Sequence, residues 1–254
     1  MLEVRGLTRF FGGLAAVSDL DLNMIRGEMV GLIGPNGAGK TTVFNLLSGF
    51  LRPSRGKIIF EGKEIIGQRP HSIAEKGLIR TFQATTLFTD FTALQNLMVA
   101  CHLNPKMSFW ESVLHFSGSR RKEERILEKA LQIARFVGLK DMEHLPVPKL
   151  PHGYKRILNI AMALAAEPKL LLLDEPLAGM NTAEIAEVSS VINRIWQAGT
   201  TILLIEHNMR AAMSLCQRMV VLNFGRKIAE GSPEEIRRNE EVIQAYLGGA
   251  ENAA

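Results

Sequence analysis

The chain has 254 residues, which is near the upper limit for a single domain built around one hydrophobic core. Apolar residues make up 46% of the sequence and charged residues 22%, ordinary values that exclude a disordered chain. The 30 Lys and Arg residues against 26 Asp and Glu give a net charge of +4. That excess suits an anionic ligand or membrane surface but is too small to indicate nucleic acid binding.

The sequence carries no targeting or membrane-spanning signal. Its first residues lack the basic-then-apolar pattern of a signal peptide, and no apolar run approaches the roughly 18 residues of a membrane span. Cys101 and Cys216 lie far apart and have no metal-ligand spacing, so we expect two buried thiols in a reducing compartment. We therefore expect a cytosolic chain that reaches a membrane only through a partner.

The first third of the chain reads as strands around one helix. Apolar and polar side chains alternate in residues 1–30, as in half-buried antiparallel strands, and Leu20, Leu22 and Met24 mark the buried face. A short apolar strand then runs to Ile33 and into a glycine-rich turn, and a helical pattern follows from Lys40 to Ser48. Further strands are predicted at 57–60 and 78–82.

The middle of the chain has a different character. Residues 88–148 show almost no strand pattern, and a helix is predicted over Arg120–Val137 with Gly138 as its C-terminal cap. Its expected apolar face contains Ile126, Leu127, Ala130, Leu131, Ile133, Ala134 and Val137. After it, Leu170–Leu173 and Ile202–Ile205 are all-apolar runs separated by helical stretches. These runs indicate a parallel sheet buried on both faces, interrupted by a helical insertion.

The strongest motif is a phosphate-binding loop, Gly34-Pro35-Asn36-Gly37-Ala38-Gly39-Lys40-Thr41-Thr42. It follows a predicted strand and opens a helix, which is the context that this motif requires. Glycines let backbone N–H groups turn toward phosphate oxygens, and the helix N-terminus adds its positive dipole end. Lys40 is then expected at the β- and γ-phosphates of ATP and the Thr41 hydroxyl at Mg²⁺. A chance lysine in a flexible turn is the alternative, and the flanking elements argue against it.

Polar side chains end three other predicted strands. Asp174 and Glu175 follow the run of four leucines, so Asp174 is expected to hold Mg²⁺ through water and Glu175 to polarise the attacking water. His207 follows the next buried strand and is expected to contact the γ-phosphate and to hold the catalytic carboxylate. Gln83 follows the strand before the insertion, where it can touch Mg²⁺ or the attacking water, although a polar residue there is commonplace alone.

In this order the motifs resemble the ATPase cassette of ABC transporters over nearly the whole chain. The resemblance implies one domain, 1–254, with a P-loop NTPase core and antiparallel β-subdomain at 1–87 and 166–254 and a helical subdomain at about 88–165. It also implies that Phe11 stacks on adenine and that Asn181 belongs to the D-loop. The expected ligands are ATP and Mg²⁺.

The signature segment of that family corresponds to Leu150-Pro151-His152-Gly153-Tyr154. In the family it reaches the γ-phosphate bound by the partner subunit of a head-to-tail dimer. Pro151 has neither the usual serine hydroxyl nor a backbone N–H, and Gly153 is the one central glycine that remains. His152 is a candidate replacement donor. The departure leaves open a subunit that binds ATP but hydrolyses it slowly.

A narrower resemblance, to ATPases of branched-chain amino-acid importers, is carried by Arg80-Thr81-Phe82-Gln83, Phe109-Trp110, Glu206-His207-Asn208-Met209 and the ending at 242–248. It implies a peripheral protein on the inner face of the cell membrane. The implied partners are a second cassette, identical or different, integral membrane subunits and an extracytoplasmic solute-binding protein. Two alternatives stay open: the ATPase of another ABC transporter, for urea, amides or lipids, and a binding-only regulatory subunit. No residue here contacts the solute.

Overall fold

The computed structural model describes residues 1–81, 87–102 and 119–251. The strands, in chain order, are β1 (Leu2–Phe11), β2 (Leu14–Met24), β3 (Met29–Ile33), β4 (Arg55–Phe60), β5 (Lys63–Glu64), β6 (Leu78–Arg80), β7 (Leu170–Asp174), β8 (Thr201–Ile205), β9 (Arg218–Asn223) and β10 (Arg226–Gly231). The helices are α1 (Lys40–Leu47), α2 (Pro70–Glu75), α3 (Ala93–His102), α4 (Ser119–Val137), α5 (His152–Leu164), α6 (Thr182–Gln197), α7 (Met209–Leu215), α8 (Pro233–Arg238) and α9 (Glu240–Glu251), with a 3-10 turn at Val147–Lys149.

Four strands from the first part of the chain form an antiparallel sheet in the order β2-β1-β4-β5. In β2, Leu20, Leu22 and Met24 are buried, whereas Asp21 and Asn23 between them are exposed. The predicted alternation in this region is therefore confirmed, and it gives the sheet one face toward the core and one toward solvent.

The second sheet has the order β10-β9-β3-β8-β7-β6, and all its pairs are parallel except that of β10 with β9. The two predicted apolar strands are β7 and β8, and every residue of both is buried. Along β7, Leu171 and Leu173 enter one hydrophobic core, whereas Leu170 and Leu172 enter the other. The α/β class with a mainly parallel sheet, an antiparallel subdomain and a helical insertion is thus confirmed.

Helix α1 lies in the core that the two sheets share. Val43, Phe44 and Leu47 of this helix are fully buried there with side chains from both sheets. The helix begins directly after the glycine-rich turn that follows β3, so its N-terminus lies at the carboxyl edge of the parallel sheet. Burial of its apolar face therefore fixes the phosphate loop.

Between β6 and β7 the described residues form α3, α4, the 3-10 turn and α5. Helix α4 ends as predicted at Gly138, whose φ of 85° and whose following residue, Leu139, donating to the Ala134 carbonyl at 2.8 Å, make a left-handed cap. One residue of its expected apolar face is misplaced, since Leu127 is 38% exposed, whereas Ile126 is 6% exposed. The buried stripe follows Ile126, Ala130 and Ala134 at four-residue spacing, and Leu127 lies about 100° around the helix from Ile126.

Some boundaries differ from those predicted. The strand expected at 78–82 ends at Arg80, although the Thr81 N–H still donates to the Leu172 carbonyl at 2.9 Å. Phe82 lies outside the described residues. The strand expected at 57–60 begins earlier, at Arg55. Across the part of the chain that the structure describes, no helix combines the length and the hydropathy that crossing a bilayer requires. Both cysteines are buried free thiols.

We expect Ile126→Ala to lower the free energy of unfolding by about 2–5 kcal/mol, because it leaves a cavity in the core. The neighbouring Leu127→Ala should cost less than about 1 kcal/mol, because that side chain is already partly in solvent. Urea unfolding followed by circular dichroism measures both. Equal losses in the two variants would contradict the register of α4.

Candidate nucleotide-binding site

The phosphate loop connects β3 to α1. At two of its positions the backbone of another strand lies so close that only glycine fits. Gly34 has a φ of 150°, and a Cβ at this position would lie 2.1 Å from the Leu222 carbonyl oxygen. Gly39 caps α1 with a φ of 101°, and its Cβ would lie 2.4 Å from the Ala16 carbonyl oxygen. Since β2 and β9 press on the loop from outside, the loop backbone is held in one shape.

Lys40, the first residue of α1, is folded back over the loop and is only 5% exposed. Its Nζ donates to the carbonyl oxygens of Gly34 at 2.7 Å and Pro35 at 2.9 Å. Burial lowers the pKa of Lys40, while the charges of Glu175 and Asp174 raise it. The ammonium group thus has acceptors inside the loop that phosphate oxygens can replace.

Glu175 and His207 meet at the same sheet edge. The Nε2 atom of His207 lies 2.6 Å from Oε1 of Glu175, and the histidine side chain is the more exposed of the two. Glu175 has a φ of 47°, uncommon for a residue with a Cβ, and its backbone N–H donates to the Ile205 carbonyl at 3.0 Å. The end of β8 therefore holds the backbone that carries the Glu175 carboxylate, and β8 leads into His207.

Asp174 ends β7 with its side chain 4% exposed, and the Nη2 group of Arg80 donates to its Oδ2 atom at 2.7 Å. Among the described residues, no group of three or more His, Cys, Asp or Glu side chains forms a metal cage. The carboxylate of Asp174, whose charge acts on Lys40, and the hydroxyl of Thr41, the residue after Lys40, form a sparse oxygen donor set. That set fits Mg²⁺, which keeps several waters and takes phosphate oxygens as ligands.

Lys40, Thr41, Glu175 and His207 open into one cleft of about 430 Å³, whose lining does not include Asp174. Its lining comprises Leu14, Ala15, Ala16, Asn36, Gly37, Ala38, Gly39, Lys40, Thr41, Thr42, Glu175, His207, Phe224 and Gly225. Phe11, expected at adenine, is not in this lining, and its ring lies 4.8 Å below the guanidinium carbon of Arg9. The aromatic side chain in the lining is Phe224, which is 83% exposed. The adenine contact of Phe11 therefore stays a prediction.

Pro151 precedes α5 and Asn181 precedes α6, and the carboxylate of Glu184 contacts the N-termini of both helices. Pro151 is the N-cap of α5, and the Gly153 N–H donates to Oε1 of Glu184 at 3.2 Å. Asn181 is the N-cap of α6, where its side chain accepts from Glu184 and Glu184 Oε2 accepts from Asn181 at 3.1 Å. The segments predicted to be the signature and the D-loop are thus connected through Glu184 within one chain.

Two further predicted site residues, His152 and Tyr154, are not part of the cleft lining. His152 is exposed at the first turn of α5. The pKa of Tyr154 is raised by a hydrogen bond to Glu187 and then by burial. Gln83 lies outside the described residues, so its expected contacts with Mg²⁺ and water stay a prediction.

Comparison with known proteins decides the family. The profile of the ABC transporter family matches residues 17–178, and that of the branched-chain amino acid ATP-binding cassette transporters matches residues 226–252. The chain is 43% identical over 251 residues to the high-affinity branched-chain amino acid transport ATP-binding protein BraF of Pseudomonas aeruginosa, with 98% of each chain covered. It is 41% identical, with the same coverage, to LivG of Escherichia coli K12, which bears the same description. The chain belongs to the ABC transporter family.

A solved structure agrees with this assignment. The ADP conformation of an ATP-binding cassette of an ABC transporter superimposes with a TM-score of 0.86 at 28% identity, covering 98% of each chain. This ABC cassette is accordingly an ATPase, which binds nucleotide and couples ATP hydrolysis to transport.

Several residues at the cassette's site were not identified from the sequence. The role of Arg80 has no sequence signal, because residue spacing does not reveal which acid pairs with a basic residue at a strand end. Glu184 stands at the capping-box spacing from Asn181, which indicates a helix start but not its bond to Gly153. Phe224 lies on a segment without a known pattern. Glu206 is 2% exposed, and its Oε1 accepts from the Leu177 N–H at 2.7 Å. Its position after a buried strand and before His207 was the available signal.

Gly39→Ala is expected to abolish nucleotide binding, because its methyl group would collide with the Ala16 carbonyl and distort the loop. Gly199→Ala is the matched control, since Gly199 also has positive φ, at 95°, but no atom lies within 4 Å of its Cβ. The control should cost only about 1–2 kcal/mol of stability and leave binding intact. Titration with a fluorescent ATP analogue compares them, and retained binding in Gly39→Ala would refute this account.

Proposed function

We propose that the chain is the ATP-hydrolysing subunit of an importer of branched-chain or related hydrophobic amino acids. Support for the solute comes from the relatives of 41–43% identity, whose descriptions name branched-chain amino acid transport, and from the matched C-terminal segment. The observation that carries hydrolysis is the 2.6 Å contact of His207 with Glu175 at the phosphate-loop cleft. Nothing found favours urea, amide or lipid transport, or a binding-only subunit.

In this proposal each residue has one role. The phosphate loop from Gly34 to Thr42 holds the phosphates with its N–H groups and Lys40. Thr41, Asp174 and Gln83 hold Mg²⁺, which neutralises charge on the β- and γ-phosphates. Glu175 orients and polarises the attacking water, and His207 keeps that carboxylate in place and contacts the γ-phosphate.

We propose that two cassettes, identical or different, close head to tail around two ATP molecules. The signature residues Pro151 to Tyr154 of one subunit and its D-loop residue Asn181 then face the nucleotide of the other. The Gly153 N–H, now engaged by Glu184 at 3.2 Å, is the backbone donor available at that helix terminus. The cassette works on the inner face of the membrane with integral membrane subunits, and a solute-binding protein delivers the solute.

Glu175→Gln is expected to keep ATP affinity and to lower turnover by about 100-fold or more, because the amide cannot accept a proton from water. The variant should accumulate as a dimer in Mg-ATP, measured by sedimentation alongside phosphate release. Lys40→Ala should instead weaken ATP binding itself. Unchanged turnover in Glu175→Gln would sink the proposed role of this carboxylate.

Loss of the gene in its own host should abolish uptake of radiolabelled leucine, isoleucine and valine but not of urea. A plasmid copy of the wild-type gene should restore uptake, whereas a copy with Lys40→Ala should not. A copy with Lys57→Ala is the control and should restore uptake, because Lys57 is exposed on β4 away from the cleft. Normal amino-acid uptake in the deletion strain, together with defective urea uptake, would overturn the assigned solute while leaving the ATPase assignment intact.

A further inference from the structure

Arg80 is a buried cation whose contacts lead from the metal-binding carboxylate to the phosphate-loop helix. It is the last residue of β6, where it pairs with Leu172 of β7. Its side chain is 7% exposed and that of Asp174 is 4% exposed. Two groups so well shielded from water interact strongly, and neither can be removed without leaving a buried charge unpaired.

The guanidinium group contacts both elements with separate nitrogens. Nη2 donates to Asp174 Oδ2 at 2.7 Å, while Nη1 donates to Asn45 Oδ1 at 2.6 Å and lies 3.4 Å from Ser48 Oγ. The guanidinium carbon is 5.6 Å from the centre of the Phe44 ring. Asn45, Ser48 and Phe44 belong to α1 or its C-terminal cap, so one rigid planar group sets the distance between Asp174 and α1.

The same contacts leave one carboxylate oxygen for a metal. Within the described ranges, the hydrogen bond to the Asp174 side chain is made to Oδ2, and none is made to Oδ1. Arg80 therefore fixes the carboxylate by one oxygen and keeps the other available. Partners that orient a metal ligand in this way tune the affinity of the site although they do not touch the ion.

We propose that Arg80 is a positioning residue that presents Asp174 to Mg²⁺ and locks it to the phosphate-loop helix. This inference rests on the proposed role of Asp174 and Thr41 as metal ligands. Two other roles are testable against it. A purely structural ion pair would affect folding but not metal affinity, and a competing cation would weaken metal binding, so that its removal would strengthen it.

The test is the affinity of a fluorescent, non-hydrolysable ATP analogue, measured once in EDTA and once in saturating Mg²⁺. The dissociation constant in EDTA divided by that in Mg²⁺ gives the factor by which the metal tightens binding, and this ratio can be measured without turnover. In Arg80→Gln the ratio should fall about tenfold or more, the usual loss when an orienting partner is removed. The affinity in EDTA should stay at the wild-type value, because the loop and Lys40 are unchanged.

Two milder variants keep the test decisive if Arg80→Gln does not fold. Arg80→Lys retains the charge but cannot contact Asp174 and Asn45 with a planar fork, so its ratio should fall below the wild-type ratio. Asn45→Ala removes one anchor of Arg80 without removing a charge, and its ratio should also fall below the wild-type ratio.

Arg218→Gln is the matched control. Arg218, like Arg80, is an arginine that pairs with carboxylates, although its side chain is 24% exposed. It donates to Glu28 Oε1 at 2.7 Å and to Glu230, at the start of β9 away from Asp174. It should lower thermal stability and leave the ratio unchanged.

An unchanged ratio in folded Arg80 variants would overturn the proposal in favour of a structural pair, and a raised ratio would overturn it in favour of a competing cation. A parallel loss of affinity in EDTA would also overturn it, since general damage to the loop would then be the cause. If wild-type protein itself gains nothing from Mg²⁺, the proposed metal site fails first and the role of Arg80 fails with it.

Discussion

Every residue of the three central parallel strands β3, β7 and β8 is buried, so polar side chains of these strands can come together only at the carboxyl edge of the sheet. In β7 the four residues before Asp174 are buried leucines, and in β8 the buried Thr201 is followed by four buried apolar residues. Asp174, Glu175, Glu206 and His207 therefore come only where the strands end. The helix N-terminus at Lys40 opens at the same edge, because α1 is clamped between the sheets. Apolar packing thereby places the chemistry.

The carboxylates of Asp174, Glu175 and Glu206 lie at the same partly buried edge of the parallel sheet, where they would repel each other without nearby cations. Lys40 is the first such cation, and Arg80 is the second, paired with Asp174 at 2.7 Å. The third comes from α5, where burial lowers the pKa of Arg156 while the charges of Glu206, Glu175 and Asp174 raise it. Each cation belongs to a different element, so the charge balance of the edge depends on how those elements are packed.

The sequence predicted the parts of this site that lie within one contiguous motif. Gly39 and Lys40 obey a fixed spacing, and Asp174 and Glu175 end a run of leucines that only a buried strand explains. The contacts of Arg80 with Asp174 and of Glu184 with Gly153 join residues 94 and 31 positions apart, and no local pattern encodes such pairs. Leu127 shows the same limit within a helix, because the apolar pattern alone does not say where a stripe ends.

Glu184 shows how the packing of two helices reaches the site. One of its oxygens completes the capping box of α6 with Asn181, and the other accepts the Gly153 N–H at the start of α5. Since both bonds use one side chain on a rigid helix, α5 cannot shift relative to α6 without losing the second bond. That bond is between a carboxylate and a helix N-terminus, and an anion of similar charge can replace the carboxylate. The start of α5 is therefore held by an exchangeable contact, whereas the phosphate loop is held by close packing of its glycines against the backbone of β2 and β9, which no ligand can replace.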